Sequence, residues 1–210
     1  MKTLKISIAS LALIALGLGS CIKHEVIPAP VPMVDLKCHF QGIINNTNVE
    51  FTENVNGYYC TSTKAKILLP PPAYSSAKYY CEMLSSSSPV SIKVALGSIM
   101  WDASTTSDPT LSQFNTYFSN NTTPNFSDDA TLGFAVAYRD GTGTVWNSKE
   151  ASVNFQDVTF SNIKQESDST GDYSLFKCSF ECYVYHTDQV TLEEDSVRIQ
   201  SGLFEGWFKR

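Results

Sequence analysis

The chain has few of the residues in which exported or catalytic chemistry is usually written. Three histidines occur in 210 residues, and one of them, His24, lies ahead of the first strand pattern. There is no His-Glu-x-x-His, no Gly-x-Ser-x-Gly and no glycine loop ending in Lys-Ser or Lys-Thr. Zincin, nucleophile-elbow and P-loop chemistries are thereby excluded in their usual form. No Cys-x-x-Cys pair occurs, so zinc, which takes four ligands usually brought in close pairs, has no evident framework. Basic residues are outnumbered, 15 against 21 acidic, which argues against a general nucleic-acid or anionic-surface binder, because both need basic patches. No long tandem repeat is present, so a solenoid is excluded. No apolar run reaches the roughly 20 residues of a spanning helix; Ile6 to Leu18 is about a dozen.

That short run is the most specific feature present. Lys2 and Lys5 precede it, and Leu18-Gly19-Ser20-Cys21 closes it with small residues and a cysteine. A basic start, a short apolar stretch and a small-residue cleavage region form an export signal. An ordinary secretory signal would have no need of a cysteine at that point. The segment resembles a bacterial lipoprotein signal peptide, and the resemblance implies that residues 1–20 are removed and that Cys21 carries several acyl chains. Acyl anchoring contributes about 0.8 kcal/mol per buried methylene, and stable attachment takes more than one chain. Ile22 stands where an aspartate would retain an enterobacterial lipoprotein in the inner membrane, so the outer membrane is expected. Lys23-His24-Glu25 resembles the charged tag of some surface lipoproteins, with one acid where that tag has two or more. Periplasmic and surface faces both stay open. Residues 21–33 form a tether in which Pro28, Pro30 and Pro32 alternate with small apolar residues, favouring extended geometry at roughly 3.1 Å per residue.

Residues 34–210 form one domain. Removing residues 1–20, which hold two lysines and no acid, takes the net charge from −6 to −8. With Cys21 assigned to lipid, Cys38, Cys60, Cys81, Cys178 and Cys182 remain as disulfide candidates in an oxidising compartment. Tyr58-Tyr59-Cys60 and Tyr79-Tyr80-Cys81 are matching contexts, so Cys60–Cys81 is the expected bridge, with Cys38 to Cys178 or Cys182 second. His39 beside Cys38 and His186 after Cys182 raise a metal reading. A strand, however, points Cys38 and His39 to opposite faces, so no metal and no cofactor are expected.

Period-two alternation dominates from Val34 onward. Leu36, Cys38 and Phe40 share a face, Asn45 to Asn48 turn the chain, and Val49 to Thr52 return it. Gly57–Thr61, Tyr79–Met83, Val90–Trp101, Leu132–Arg139, Thr144–Asn147, Val153–Ile163, Tyr173–Tyr185, Val197–Ser201 and Leu203–Phe208 are further predicted strands. Phe176, Cys178, Phe180, Cys182 and Val184 should face the core. Asp140-Gly141-Thr142-Gly143 reads as a hairpin turn, and Gln165 to Asp172 as a polar loop. One helix is predicted, capped by Ser107 or Asp108 with Pro109 in its first turn and Leu111, Phe114 and Phe118 on one stripe. It suits a crossover packed on the sheet, or else a lid. The expected fold class is all-β, an antiparallel β-sandwich, Ig-like or jelly-roll-like, with one short helix; a barrel is the alternative.

Candidate chemistry is sparse. His39 and His186 fall on outward strand positions. Asp168 and Asp172 approximate a calcium loop but lack its regular ligand spacing. Paired carboxylates for glycoside hydrolysis need a spacing that sequence cannot measure. Catalytic residues are therefore not assigned, and a hydrolase is the least favoured reading. Trp101, Trp146, Trp207, Tyr58 and Tyr79 are possible glycan-stacking rings.

Phe40-Gln41-Gly42-Ile43-Ile44-Asn45 resembles the F-x-G-x-I-N-G opening of small uncharacterised Bacteroidota-type outer-membrane lipoproteins, with Asn46 in place of the last glycine. Gly202-Leu203-Phe204-Glu205-Gly206-Trp207-Phe208 is similar to their closing G-x-F-x-G-x-F strand. The resemblance implies a β-sandwich held to a membrane by its N-terminal lipid, with no reaction assigned. Expected partners are the membrane through that lipid and a glycan or envelope protein, not nucleic acid. Mass spectrometry of the native product should find a chain starting at acylated Cys21. Cys21→Ser should move the protein out of the membrane fraction; an intact leader would overturn the assignment.

Overall fold

The computed structural model describes residues 32–128 and 130–210. Cys21, the signal segment and residues 22–31 of the tether lie outside the described residues. Ten antiparallel strands and one helix make up the domain: β1 His39–Ile44, β2 Thr47–Thr52, β3 Tyr58–Ile67, β4 Ser75–Ser85, β5 Ser91–Trp101, α1 Leu111–Asn120, β6 Gly133–Arg139, β7 Val145–Ser148, β8 Asp157–Asp168, β9 Gly171–Thr187 and β10 Glu194–Lys209. The all-β, antiparallel class with a single short helix is as expected. Among the described residues, no helix is long and apolar enough to cross a membrane.

A single sheet runs in the order β2-β1-β10-β9-β7-β6-β5-β4-β3, with β8 also paired to β9. The sandwich-like layering comes from this one sheet curling until β3 and β4 lie against β10. β9 forks: Asn147 and Ser148 of β7 pair with Tyr185 and Val184, while β8 pairs with residues 171–181 of the same edge. The turns follow from local chemistry. Asn45 and Asn46, with φ 49° and 62°, make the two-residue β1–β2 turn, a left-handed conformation that asparagine tolerates. Asp140 Oδ1 accepts the N–H groups of Thr142 and Thr144 at 2.9 and 3.0 Å, which fixes the expected β6–β7 turn.

Alternation fills the interior with rings. Phe176, Cys178, Phe180, Cys182 and Val184 are all buried, as β9 was expected to arrange them. Phe176 stacks on Phe208 at 4.5 Å, Phe208 on Phe118 at 4.7 Å, and Phe40 meets Phe51 at 5.6 Å. On α1, Phe114 and Phe118 meet Tyr79 edge-on at 5.3 and 5.5 Å, so the helix packs these two on the sheet, while Leu111, expected on the same stripe, lies at the first turn and is exposed.

Several boundaries differ from expectation for physical reasons. The helix is capped by Thr110, whose Oγ1 accepts Gln113 N–H at 3.3 Å while Gln113 Oε1 accepts Thr110 N–H at 2.9 Å. Of the two expected caps, Asp108 instead accepts Lys64 and Lys66 at 2.6 and 3.2 Å, and the Ser107 carbonyl accepts Lys66 at 3.0 Å. The segment from Gln165 is strand through Asp168, because hairpin pairing to β9 holds residues that carry no apolar alternation. Val153 and Phe155 lie outside any strand and are 98% and 67% exposed. Val197–Ser201 and Leu203–Phe208 are one strand with a bulge, Ser201 taking φ 49°.

The disulfide also differs. Cys38 bonds to Cys60, with Cα atoms 6.1 Å apart, in place of the expected Cys60–Cys81 and Cys38–Cys178 or Cys38–Cys182 bridges. Cys81, Cys178 and Cys182 are free and buried. Curling brings the start of β1 to β3, which separates Cys38 from Cys178 and Cys182 on β9. Phe204→Ala should lose about 3–5 kcal/mol of unfolding free energy in urea, through a cavity among Phe40 and Phe176. Thr110→Ala should lose about 1 kcal/mol, the ordinary worth of a cap.

Candidate functional site

The five rings expected to stack on glycans do not form a row. Trp101 is 2% exposed and donates its Nε1 hydrogen to Thr106 O at 3.1 Å. Tyr79 is fully buried, and that burial pushes its phenol well above the usual range. Both are core residues, because the strands that carry them are buried over most of their length. Tyr58 is half-buried and stacked on Phe51 at 4.5 Å, and Trp207 meets Tyr173 edge-on at 5.7 Å. Trp146 lines a cavity of about 600 Å³ beside Tyr138, Asp140 and Asp195. His39 is half-buried with Nε2 3.1 Å from Glu50 Oε1.

A concave groove of about 560 Å³ opens on the outer face of β4, β5, β6, β7 and β9. Its depth has a simple cause. On β6, Phe134 and Val136 point inward, so Ala135 and Ala137 point out; Ala95 pairs with Ala135, and Lys93 with Ala137. Three alanines therefore floor the groove where larger side chains would fill it. Tyr80 sits opposite Ala95 on β4, and Tyr185 opposite Asn147 on β9. Four strand spacings of about 4.8 Å put these tyrosines roughly 19 Å apart along the sheet.

Each tyrosine carries a lysine. Lys93 Nζ lies 5.7 Å from the Tyr80 ring centroid, and Lys149 Nζ lies 4.8 Å from that of Tyr185, both within cation–π reach. Lys149 also pairs with Glu194. Burial raises the Tyr80 phenol above its usual range. The Tyr185 hydroxyl bonds Ser152 Oγ at 2.9 Å and Asn154 Nδ2 at 3.0 Å, which ties the loop after β7 to the wall. Lys78, 3% exposed, donates to Leu132 O at 2.8 Å at one end. His186 sits at the other, Nδ1 3.1 Å from Val145 O, with its ring 5.6 Å from Trp146. Asp128 Oδ1 accepts Glu150 N–H at 2.7 Å. The walls thus offer ring faces, ammonium groups and amides, a set suited to holding hydroxyl and carboxylate oxygens around flat apolar faces.

Tyr80, Lys93, Tyr185 and the alanine floor were not among the expected site residues. Alternation does place Tyr185 on the outward face of β9, and one member of each adjacent tyrosine pair must face out. The missing signal was strand adjacency: nothing in the sequence says that β7 lies between β6 and β9. Compared with known proteins, the chain matches no family model, no curated protein and no solved structure.

Trp146 owes its pose to Asp140, whose Oδ2 accepts the indole Nε1 hydrogen at 3.0 Å. Partial desolvation opposes ionisation of Asp140, but hydrogen bonds from Thr142, Trp146 and Thr144 outweigh it and hold the carboxyl at about 2, below its usual 3.8. A depressed carboxylate adds stability fully present above its unfolded value and lost as pH falls through the folded one. Trp146 fluorescence and the unfolding midpoint should therefore both change as pH falls from 3.8 to about 2, and Asp140→Asn should flatten that part of both profiles.

Proposed function

We propose that this chain is a lipid-anchored, exported envelope protein, held in the outer membrane through Cys21, whose domain binds a glycan without chemical turnover. The lipobox-like segment at Leu18–Cys21 and the short proline tether support the anchoring. The likeness at both ends of the domain to Bacteroidota-type outer-membrane lipoproteins supports the location.

One observation carries the binding reading: two lysine-over-tyrosine pairs on either side of an alanine floor. Sugar rings present apolar C–H faces that stack on aromatic rings, and their hydroxyls and carboxylates accept hydrogen bonds from lysine and amide donors. The groove volume falls within the range of about 300–1,000 Å³ usual for small-ligand sites. Its cationic rim favours an acidic saccharide over a neutral one. Among the described lining residues the single carboxylate is Asp128, already engaged with Glu150 N–H, which favours binding over two-carboxylate hydrolysis.

Calorimetric titration of the full chain with matched neutral and uronate-containing oligosaccharides tests this. Acidic oligomers should bind, and Tyr80→Ala or Lys93→Ala should weaken them about tenfold, equivalent to about 1.4 kcal/mol. Tyr59→Ala, exposed at 44% outside the groove, should leave binding unchanged. No heat with any member of the panel would remove the glycan reading.

A further inference from the structure

We propose that Cys38, Cys60 and Cys81 form a thiol–disulfide exchange site, in which Cys81 competes with Cys38 for the sulfur of Cys60 and a small thiol is the co-substrate. The three sulfur atoms lie within 4.8 Å of one another. Two form the bridge that joins the chain before β1 to β3, and the third is a free thiol on β4. Strand register explains the meeting. Cys81 pairs with Ser62, two residues along from Cys60, so Cys60 and Cys81 are diagonal neighbours on one face of the β3–β4 hairpin. Cys38 reaches the same point from the other side of the curled sheet.

The surroundings hold the third sulfur in place. A Cβ at Gly206 would stand 2.8 Å from Cys81 Sγ, so the glycine leaves the sulfur its space. Burial pushes the Cys81 thiol up to about 12, against a smaller lowering by a hydrogen bond with the Trp207 backbone, so its attack is slow and gains from alkaline conditions. Access is graded. Cys38 is 4% and Cys81 0% exposed, whereas Cys60 is half-buried, so an incoming thiol meets Cys60 first.

Exchange proceeds by thiolate attack through a mixed disulfide. The external thiolate attacks Cys60 Sγ, forming its own bond to Cys60 and expelling Cys38 as a thiolate. Cys81, whose proton passes to that Cys38 thiolate, then attacks Cys60 Sγ, forms Cys60–Cys81 and expels the external thiol unchanged. No net oxidation or reduction occurs. A staple between distant parts of the chain becomes one within a hairpin, and the first strand is unhooked from the third.

The test is peptide mapping of the full chain after incubation with reduced glutathione at mildly alkaline pH, acid quenching and alkylation. The Cys60–Cys81 peptide, with alkylated Cys38, should rise about tenfold over the untreated sample, as expected for a thiol-catalysed exchange. Its absence from treated wild type overturns the proposal. Cys38→Ser, produced in the same way, should carry Cys60–Cys81; two freely alkylated thiols there would also overturn it. Cys81→Ser should keep Cys38–Cys60 as its bridge in treated and untreated samples alike, since Cys38 is then the sole resolving thiol near Cys60.

Discussion

Closure of the sheet governs everything else in this domain. β2 and β3 are consecutive in sequence yet stand at opposite ends of a nine-strand path. In a flat sheet, eight spacings of about 4.8 Å would hold them nearly 40 Å apart. Residues 53–57 must bridge them, and a segment that short reaches about 20 Å when fully extended. The sheet therefore has to curl. Phe51 stacks on Tyr58 across that arch at 4.5 Å, and Lys209 N–H donates to Ser62 Oγ at 2.9 Å. The Cys38–Cys60 bond spans the same seam; a cross-link of this kind is worth typically about 2–4 kcal/mol. Because the sheet closes on itself, its inner face is buried, with phenylalanine contributed by β1, β2, β6, β8, β9 and β10, and the groove lies on the other.

Much of this was legible in the chain because a strand with one buried face declares itself by alternation. Phe176 through Val184 and the Asp140–Gly143 turn are local facts, and each came out as read; the turn expected over Asn45 to Asn48 is the shorter Asn45-Asn46, with Thr47 and Asn48 already in β2. Phe114 and Phe118 gave the helix and its buried stripe. What was hidden was of two kinds. Pairing to β9 holds the outer end of β8, Lys164 to Asp168, whose residues are polar on both faces and carry no periodic signal. Long-range adjacency is the other kind: the Cys60–Cys81 expectation rested on matching contexts, and matched contexts on neighbouring strands do place those sulfurs together. Only the curl brings Cys38 in as the partner actually bonded.

The same distinction explains the candidate site. Aromatic residues near strand ends were expected to be exposed, but in a curled sheet an inward Trp101 or Tyr79 is swallowed by the core. The groove depends on what is small: Ala95, Ala135 and Ala137 carry no chemical signature, and their importance appears only when β4, β5, β6, β7 and β9 lie side by side. Tyr80 and Tyr185 are separated by more than a hundred positions in the chain and share one concavity.

The pairing of β1 with β10 sets the first strand against the last, His39 opposite Glu205 and Ile44 opposite Ile199. A chain that emerges N-terminus first cannot satisfy its opening strand until its final residues are out. Such end-to-end pairing raises contact order and slows folding. The nascent polypeptide is therefore kept open for as long as it is being synthesised, without a separate device to hold it so. The segment from Ile199 to Glu205 is the one that latches the barrel-like shell shut, and a chain cut before Ile199 would leave the opening strand with no permanent neighbour on that side.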